Sequence, residues 1–217
     1  MKNMIKLKCV ALLLGLVVFG LHTPTWAATS FDLVGFNFPD QILASVDFTY
    51  HSNLGKISVS LMNKSTFDAR LTAFAFNVPD NVTGVASFSG PANWSDSFSP
   101  NSISTPEKFG NFDLAGLTGP NFNGGDPNDG IPPNNTFDFE FFLSGIGLAG
   151  LTEDSFLGLL SSPGNPNDNP QSFIARFQRV GSDGSGSDVA VVPIPAAAWL
   201  LGSGLAGLVA LRRRFRN

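Results

Sequence analysis

The sequence predicts an all-β domain, an antiparallel β-sandwich of jelly-roll-like type. Three observations predict it. Apolar and polar residues alternate along several short runs, the period of a strand with one buried face. Clusters of Gly, Pro, Asn, Asp and Ser separate these runs, as tight turns require. Amphipathic helices between the runs are missing, which argues against an α/β fold. Two sheets packed face to face let each alternating strand bury one side.

Taken in chain order, residues 1–27 read as a signal peptide. Lys2, Lys6 and Lys8 form a basic start, and the apolar run Cys9–Leu21 follows. That run is too short to span a membrane comfortably and has the length of a signal-peptide core. Thr25-Trp26-Ala27 puts small residues where a signal peptidase reads, so cleavage is expected after Ala27. Cleavage after Ala28 would leave bulky Trp26 in the outer recognition position. Cys9 is the only cysteine, so the chain left by cleavage has no disulfide available.

Residues 28–180 read as the exported domain. Ala44–Tyr50 is a candidate strand, and Ile57-Ser58-Val59-Ser60-Leu61 alternates strictly. From Leu71, Phe74, Phe76 and Val78 alternate with Ala75 and Asn77. Phe137-Asp138-Phe139-Glu140-Phe141 places aromatics on one face and carboxylates on the other. Leu148–Leu160 is the one segment with enough Leu, Glu and Asp for a short helix, although its glycines oppose that. Ser172–Val180 is the last candidate strand. Residues 181–191 then read as a flexible Gly/Ser/Asp linker, densest over Gly181–Asp188.

Composition narrows the function of this domain. Phenylalanine is abundant, with 21 in the whole chain against one Tyr, so a Phe-packed core is expected to hold the domain together. All 17 acidic residues lie between Ala28 and Val191, with six basic ones (Lys56, Lys64, Arg70, Lys108, Arg176, Arg179), a net charge near −11. Such a surface disfavours nucleic acid and anionic membranes. Scarcity of Tyr and Trp counts against a sugar-stacking surface without excluding one.

Catalytic constellations are sparse. His51 is the sole histidine after signal removal, so a His-rich metal site is excluded and any Ser-His-acid triad would have to use it. No G-x-S-x-G elbow surrounds a serine. Asp138 and Glu140 share a strand face, and paired carboxylates about 5 Å or about 6.5–9.5 Å apart can hydrolyse glycosides. A solvated strand face is the simpler reading, and no enzymatic activity is expected. Glu153-Asp154 reads as a helix-start or turn pair. In the loop Asn121–Asn135, Asp126, Asn128 and Asp129 are calcium candidates, since calcium takes about six to eight oxygens. Their spacing is one residue short of the D-x-N-x-D-G pattern, and no bidentate Glu follows, so a plain polar loop is expected and no cofactor is required. Asn165–Pro170 reads as turn-forming. The sequons at Asn63, Asn81, Asn93 and Asn134 read as exposed loops.

Residues 192–217 carry the most specific signal. Val192-Pro193-Ile194-Pro195 should be extended, because each proline fixes φ and disfavours helix at the residue before it. Ala196–Leu211 is uncharged and, as a helix, would span about 24 Å, a little less than a ~30 Å hydrocarbon core. Trp199 and the basic cluster Arg212, Arg213, Arg214 and Arg216 sit where interface anchors and a cytoplasmic stop belong. The order of motif, span and arginine tail resembles the PEP-CTERM sorting signal of exopolysaccharide-making Gram-negative bacteria. Ile194 stands where that family's name-giving Glu would be, a familiar variant. Leu71–Pro79 and Ser172–Gln178 are also similar to strands of such proteins.

The resemblance implies processing by signal peptidase and by the membrane protease exosortase near Val192–Pro195. It implies a transient inner-membrane anchor, then residence at the cell surface or in the extracellular matrix. A structural or adhesive role in exopolysaccharide or biofilm is the expected function, with extracellular polysaccharide as a partner. The alternatives are a carbohydrate-binding module and a permanently anchored envelope protein.

Overall fold

The computed structural model describes residues 28–193, Glu107 excepted. The residues read as signal peptide, and everything from Ile194 on, lie outside the described residues. The described chain is all-β and antiparallel. Its strands are β1 (Thr29–Gly35), β2 (Leu43–His51), β3 (Lys56–Asn63), β4 (Arg70–Phe76) and β5 (Val82–Ser89), then β6 (Ser95–Ser104), β7 (Asn111–Leu117), β8 (Thr136–Gly145), β9 (Phe173–Val180) and β10 (Gly186–Val191). The sequence-predicted strands correspond to β2, β3, β4, β8 and β9.

Two separate sheets were expected, and the strands instead join into one, in the order β5-β8-β3-β2-β1-β10-β9-β4-β7-β6. The sheet is nearly closed, so that β2, β3 and β8 face β4, β7 and β9 across a shared core. Continuity depends on a narrow seam. Among the described residues, the β1–β10 ladder pairs Val34 with Val191 and Gly35 with Ala190, and the Phe36 N–H donates to the Val189 carbonyl beside it at 2.9 Å. Gly35 makes this seam possible, because a Cβ there would lie 2.6 Å from Asp188 Oδ2 and 2.7 Å from Ile42 Cβ. Contacts that close exclude any larger residue without backbone movement.

The core follows from the alternation. Val46, Phe48 and Tyr50 of β2, Val59 and Leu61 of β3, and Phe139 and Phe141 of β8 are buried against Phe74, Phe76, Phe173 and Phe177 from the facing strands. β4, β7 and β9 are buried on both faces. Their outer side carries a second cluster around Phe109, Phe112, Phe122 and Ile174. Strands covered on both sides lose the alternation that betrays a half-exposed strand.

Two expectations are corrected. Leu148–Leu160 forms a short 3₁₀ turn at Leu148–Gly150 and a single α-turn, α1 (Asp154–Leu157), instead of one helix. Gly158 follows α1 directly, and so short a run gains too few backbone hydrogen bonds to extend on its own. The segment read as a linker is part of the domain. Gly186–Val191 is an interior strand, paired with β1 on one side and β9 on the other. Its first residues, through Ser185, form the β9–β10 hairpin turn, with Gly181 and Gly184 at positive φ. Asp183 accepts from the Ser185 N–H and hydroxyl, and these bonds hold its carboxyl below the ordinary value. Gly, Ser and Asp favour a tight turn as readily as a loose tether, so composition alone could not separate the two.

Candidate functional site

The run read as a sorting motif, Val192–Pro195, begins directly after the last described strand. β10 ends at Val191, and Val192 already packs against the core. Pro193 is exposed. Ile194, Pro195, the residues read as a membrane anchor (Ala196, Trp199 and Leu211), and Arg212, Arg213, Arg214 and Arg216 lie outside the described residues, as does Ala27. Ala28 precedes β1, the strand that adjoins β10. Among the described residues no helix is long and apolar enough to cross a membrane.

The loop residues offered for calcium are engaged separately. Asp126 accepts from the Asn128 N–H at 2.8 Å, an Asx turn. Asn128 Oδ1 accepts from Arg179 Nη2 at 2.7 Å, and Asp129 Oδ1 from Asn93 Nδ2 at 2.8 Å. The Asp129 carbonyl accepts from Trp94 Nε1 at 2.9 Å. Those bonds tie the loop to the barrel and point the three side chains at different partners. Among the described residues, no group of three or more His, Cys, Asp or Glu side chains is placed to hold a metal.

Asp138 is exposed on the outer face of β8, while Glu140 pairs with Lys56 Nζ at 2.5 Å. His51 Nε2 lies 3.1 Å from Ser58 Oγ, so the structure does bring a serine to the only candidate base. Ser58 sits in the middle of β3, opposite Thr49 of β2 and Glu140 of β8. A strand paired on both sides has its N–H groups committed to its neighbours and leaves none to stabilise an oxyanion. Glu153, read as a turn acid, accepts from the Tyr50 N–H at 2.9 Å. Tyr50 Oη donates to the Leu148 carbonyl at 2.8 Å, and burial raises its pKa.

Burial, then the Lys56 charge, lowers the His51 pKa from the ordinary 6.5, opposed by Glu140 and Glu153. The unfolded chain therefore takes up this proton first as pH falls. Stability from this group is complete above about 6.5 and declines as pH drops toward the lower folded value. Urea midpoints measured at pH 7.5 and below pH 6 should differ more in the native chain than in His51→Gln. Equal differences would show that His51 is not the titrating group.

The sequon at Asn63 is not an exposed loop. Asn63 is fully buried, donates to the Ala69 and Ile131 carbonyls at 2.7 and 2.8 Å, and accepts from the Ser65 N–H at 3.0 Å. It is a structural clamp between the β3–β4 connection and the loop before β8.

Sequence reasoning missed a polar arrangement around Asp113. After β4 the chain turns at Asn77–Asp80 beside Asp113 of β7. Asp113 is nearly buried and accepts from the Val78 N–H at 3.0 Å and the Asn101 N–H at 2.7 Å. It holds Asn101 at φ 53°, a left-handed conformation that Asn tolerates. Leu159, Leu160 and Ser162, beyond α1, close the other side of a cleft of about 380 Å³. Ser162 Oγ donates to Asn101 Oδ1. The only signal in the sequence was Asn77 in an otherwise apolar run, where it simply took its place in the alternation with Phe76 and Val78. Comparisons with protein families, with curated proteins and with solved structures returned no match.

Proposed function

We propose that this chain is an exported protein, sorted through its C-terminal signal to the cell surface or extracellular matrix, where it serves a structural or adhesive role in exopolysaccharide. Its β-sandwich-like domain crosses the inner membrane behind a signal peptide cleaved after Ala27. Ala196–Leu211 then anchors it while exosortase acts near Val192–Pro195. The observation that carries this reading is the ordered run of motif, uncharged span and arginine tail within residues 192–217. That β10 ends at Val191, immediately before the first residue of the motif, supports it.

The test is intact-mass analysis of the protein from envelope, cell surface and medium, with the sorting protease present and deleted. The surface form should lack residues 1–27 and the segment beyond the motif, and deletion should leave a membrane-bound species. An intact C-terminus in both strains would instead make Ala196–Leu211 a permanent anchor and end the matrix proposal.

A further inference from the structure

We propose that one end of the barrel lies on a lipid bilayer, with Leu54, Ile146, Leu159 and Leu160 dipped into the interface. This deepens the reading above and rests on its assignment of Ala196–Leu211 as an anchor, while the contact itself is measurable apart from sorting.

Topology defines that end. Every described ladder is antiparallel. The sheet order therefore puts the starts of β1, β3, β5, β7 and β9 and the finishes of β2, β4, β6, β8 and β10 at one end. The connections gathered there are the β2–β3 turn, residues 77–81, residues 105–110 and the long excursion 146–172. The described chain also enters and leaves here, at Ala28 before β1 and at Pro193 after β10. Apolar exposure is concentrated at the same end. Among the described residues six large apolar side chains are exposed, and four of them are here: Ile146 at 83%, Leu160 at 63%, Leu54 at 57% and Leu159 at 36%. The other two, Phe36 and Phe38, belong to the β1–β2 connection at the opposite end.

The loops that carry these side chains are fastened to one another. Gly55, next to Leu54, accepts from the Leu143 N–H at 2.8 Å, and a Cβ on it would lie 3.0 Å from Leu148 Cδ1. The Ile146 N–H donates to the Asn81 carbonyl at 3.1 Å, and Asn81 Nδ2 donates to the Ile146 carbonyl at 2.6 Å. Leu159 and Leu160 line a cleft with Val78, Pro79 and Asp80, just before Asn81. A lone exposed leucine needs no explanation, whereas several on neighbouring, hydrogen-bonded loops mark a contact surface. Chain length names the partner. Val192–Pro195, fully extended, covers at most about 14 Å. A span that starts at Ala196 would therefore bring this end of the barrel, and no other, to the bilayer surface. Exposed Asp80 and Asp154 stand among these loops beside exposed Lys108, so anionic headgroups gain little and apolar insertion supplies the adhesion. The same pose holds Val192–Pro195 at the membrane surface, within reach of a membrane protease.

The test uses the full chain, with Cys9→Ser, in phosphatidylcholine vesicles. Spin labels are attached one at a time through Leu54→Cys, Ile146→Cys, Leu160→Cys and Asp183→Cys. Their collisions are read with oxygen, which concentrates in lipid, and with a water-soluble nickel chelate. Oxygen collisions should exceed chelate collisions at the first three positions, and the order should reverse at Asp183, on the hairpin at the opposite end. Ile146→Glu combined with Leu160→Glu, both at positions exposed enough to spare the fold, should shift the label at Leu54 toward water. Ser182→Glu, beside Asp183, should not. Three results would each overturn the proposal: chelate collisions dominant at all three positions, a Leu54 label unmoved by the paired glutamates, or labels hidden from both reagents because a second copy covers them. Flotation and a carbonate wash separate this proposal from the anchor reading. Protein that floats and resists the wash with its labels in water loses the docking and keeps the anchor. Protein with immersed labels that the wash removes keeps the docking and loses the anchor.

Discussion

Phe74→Ala should lower stability by about 3–5 kcal/mol, the range for emptying a buried aromatic site. Phe74 is fully buried at the centre of the barrel. It lies parallel to Phe76 and Phe173, with centroids at 6.4 and 5.8 Å, and meets Phe139 at 4.8 Å, Phe141 at 6.0 Å and Trp94 at 6.1 Å. One ring from β4 therefore touches β8, β9 and the turn before β6. The site cannot collapse easily, because its neighbours are themselves large and held by paired strands. Gly116 of β7 leaves the space on the other side, where a Cβ would lie 2.4 Å from Phe74 Cε1. Chemical denaturation of the variant should show a fall in midpoint with the slope retained. A loss below about 1 kcal/mol would mean that the neighbouring rings repack into the space, and that no single ring organises this core.

Asp188→Ala should cost about 3 kcal/mol or more, at a position that composition assigned to a flexible linker. Asp188 is 1% exposed, and its carboxylate accepts from the backbone N–H groups of Asn37 (3.1 Å), Phe38 (3.0 Å) and Val189 (2.9 Å) and from Asn37 Nδ2 (3.1 Å). It fastens the β1–β2 connection, with partly exposed Phe36 and Phe38, onto β10 at the narrow seam of the sheet. Alanine would leave the N–H of fully buried Val189 without its partner and would release the Asn37 and Phe38 N–H groups that hold the connection in place. Asp188→Asn separates this account from simple packing. Both oxygens face N–H groups, so an amide nitrogen in either place would point a donor at donors. Asparagine should therefore rescue little of the loss, and proteolysis near the β1–β2 connection should quicken in both variants. Full rescue by asparagine would assign the effect to side-chain volume.

Legibility followed burial geometry. β2, β3 and β8 have one face in the core and one toward solvent, so Val46-Asp47-Phe48, Val59-Ser60-Leu61 and Phe139-Glu140-Phe141 announce themselves by alternation. β7 was silent because Phe112 to Leu117 are buried on both faces, and its run contains Asp113 and Gly116. β6 was silent for the opposite reason: it is a polar edge strand that contains Pro100 and a register shift between Phe98 and Ile103. β10 was hidden behind a turn whose Gly, Ser and Asp residues have the composition of a tether. At the cleft, Asn77, Asp113 and Ser162 come from three distant segments, so no local spacing could have signalled them.

The sequence by itself determined the all-β class and the phenylalanine core, and it holds the order of prolines, uncharged run and arginines at residues 192–217, because each is written in local periodicity or in the order of neighbouring residues. Tertiary structure alone decided that the strands form one nearly closed sheet, that residues 186–191 are an interior strand of it, and that Asn77, Asp113 and Ser162 meet at one cleft. Those outcomes depend on which strands hydrogen-bond across long chain separations and on how loops cover a second face, and a residue's neighbours in sequence carry neither.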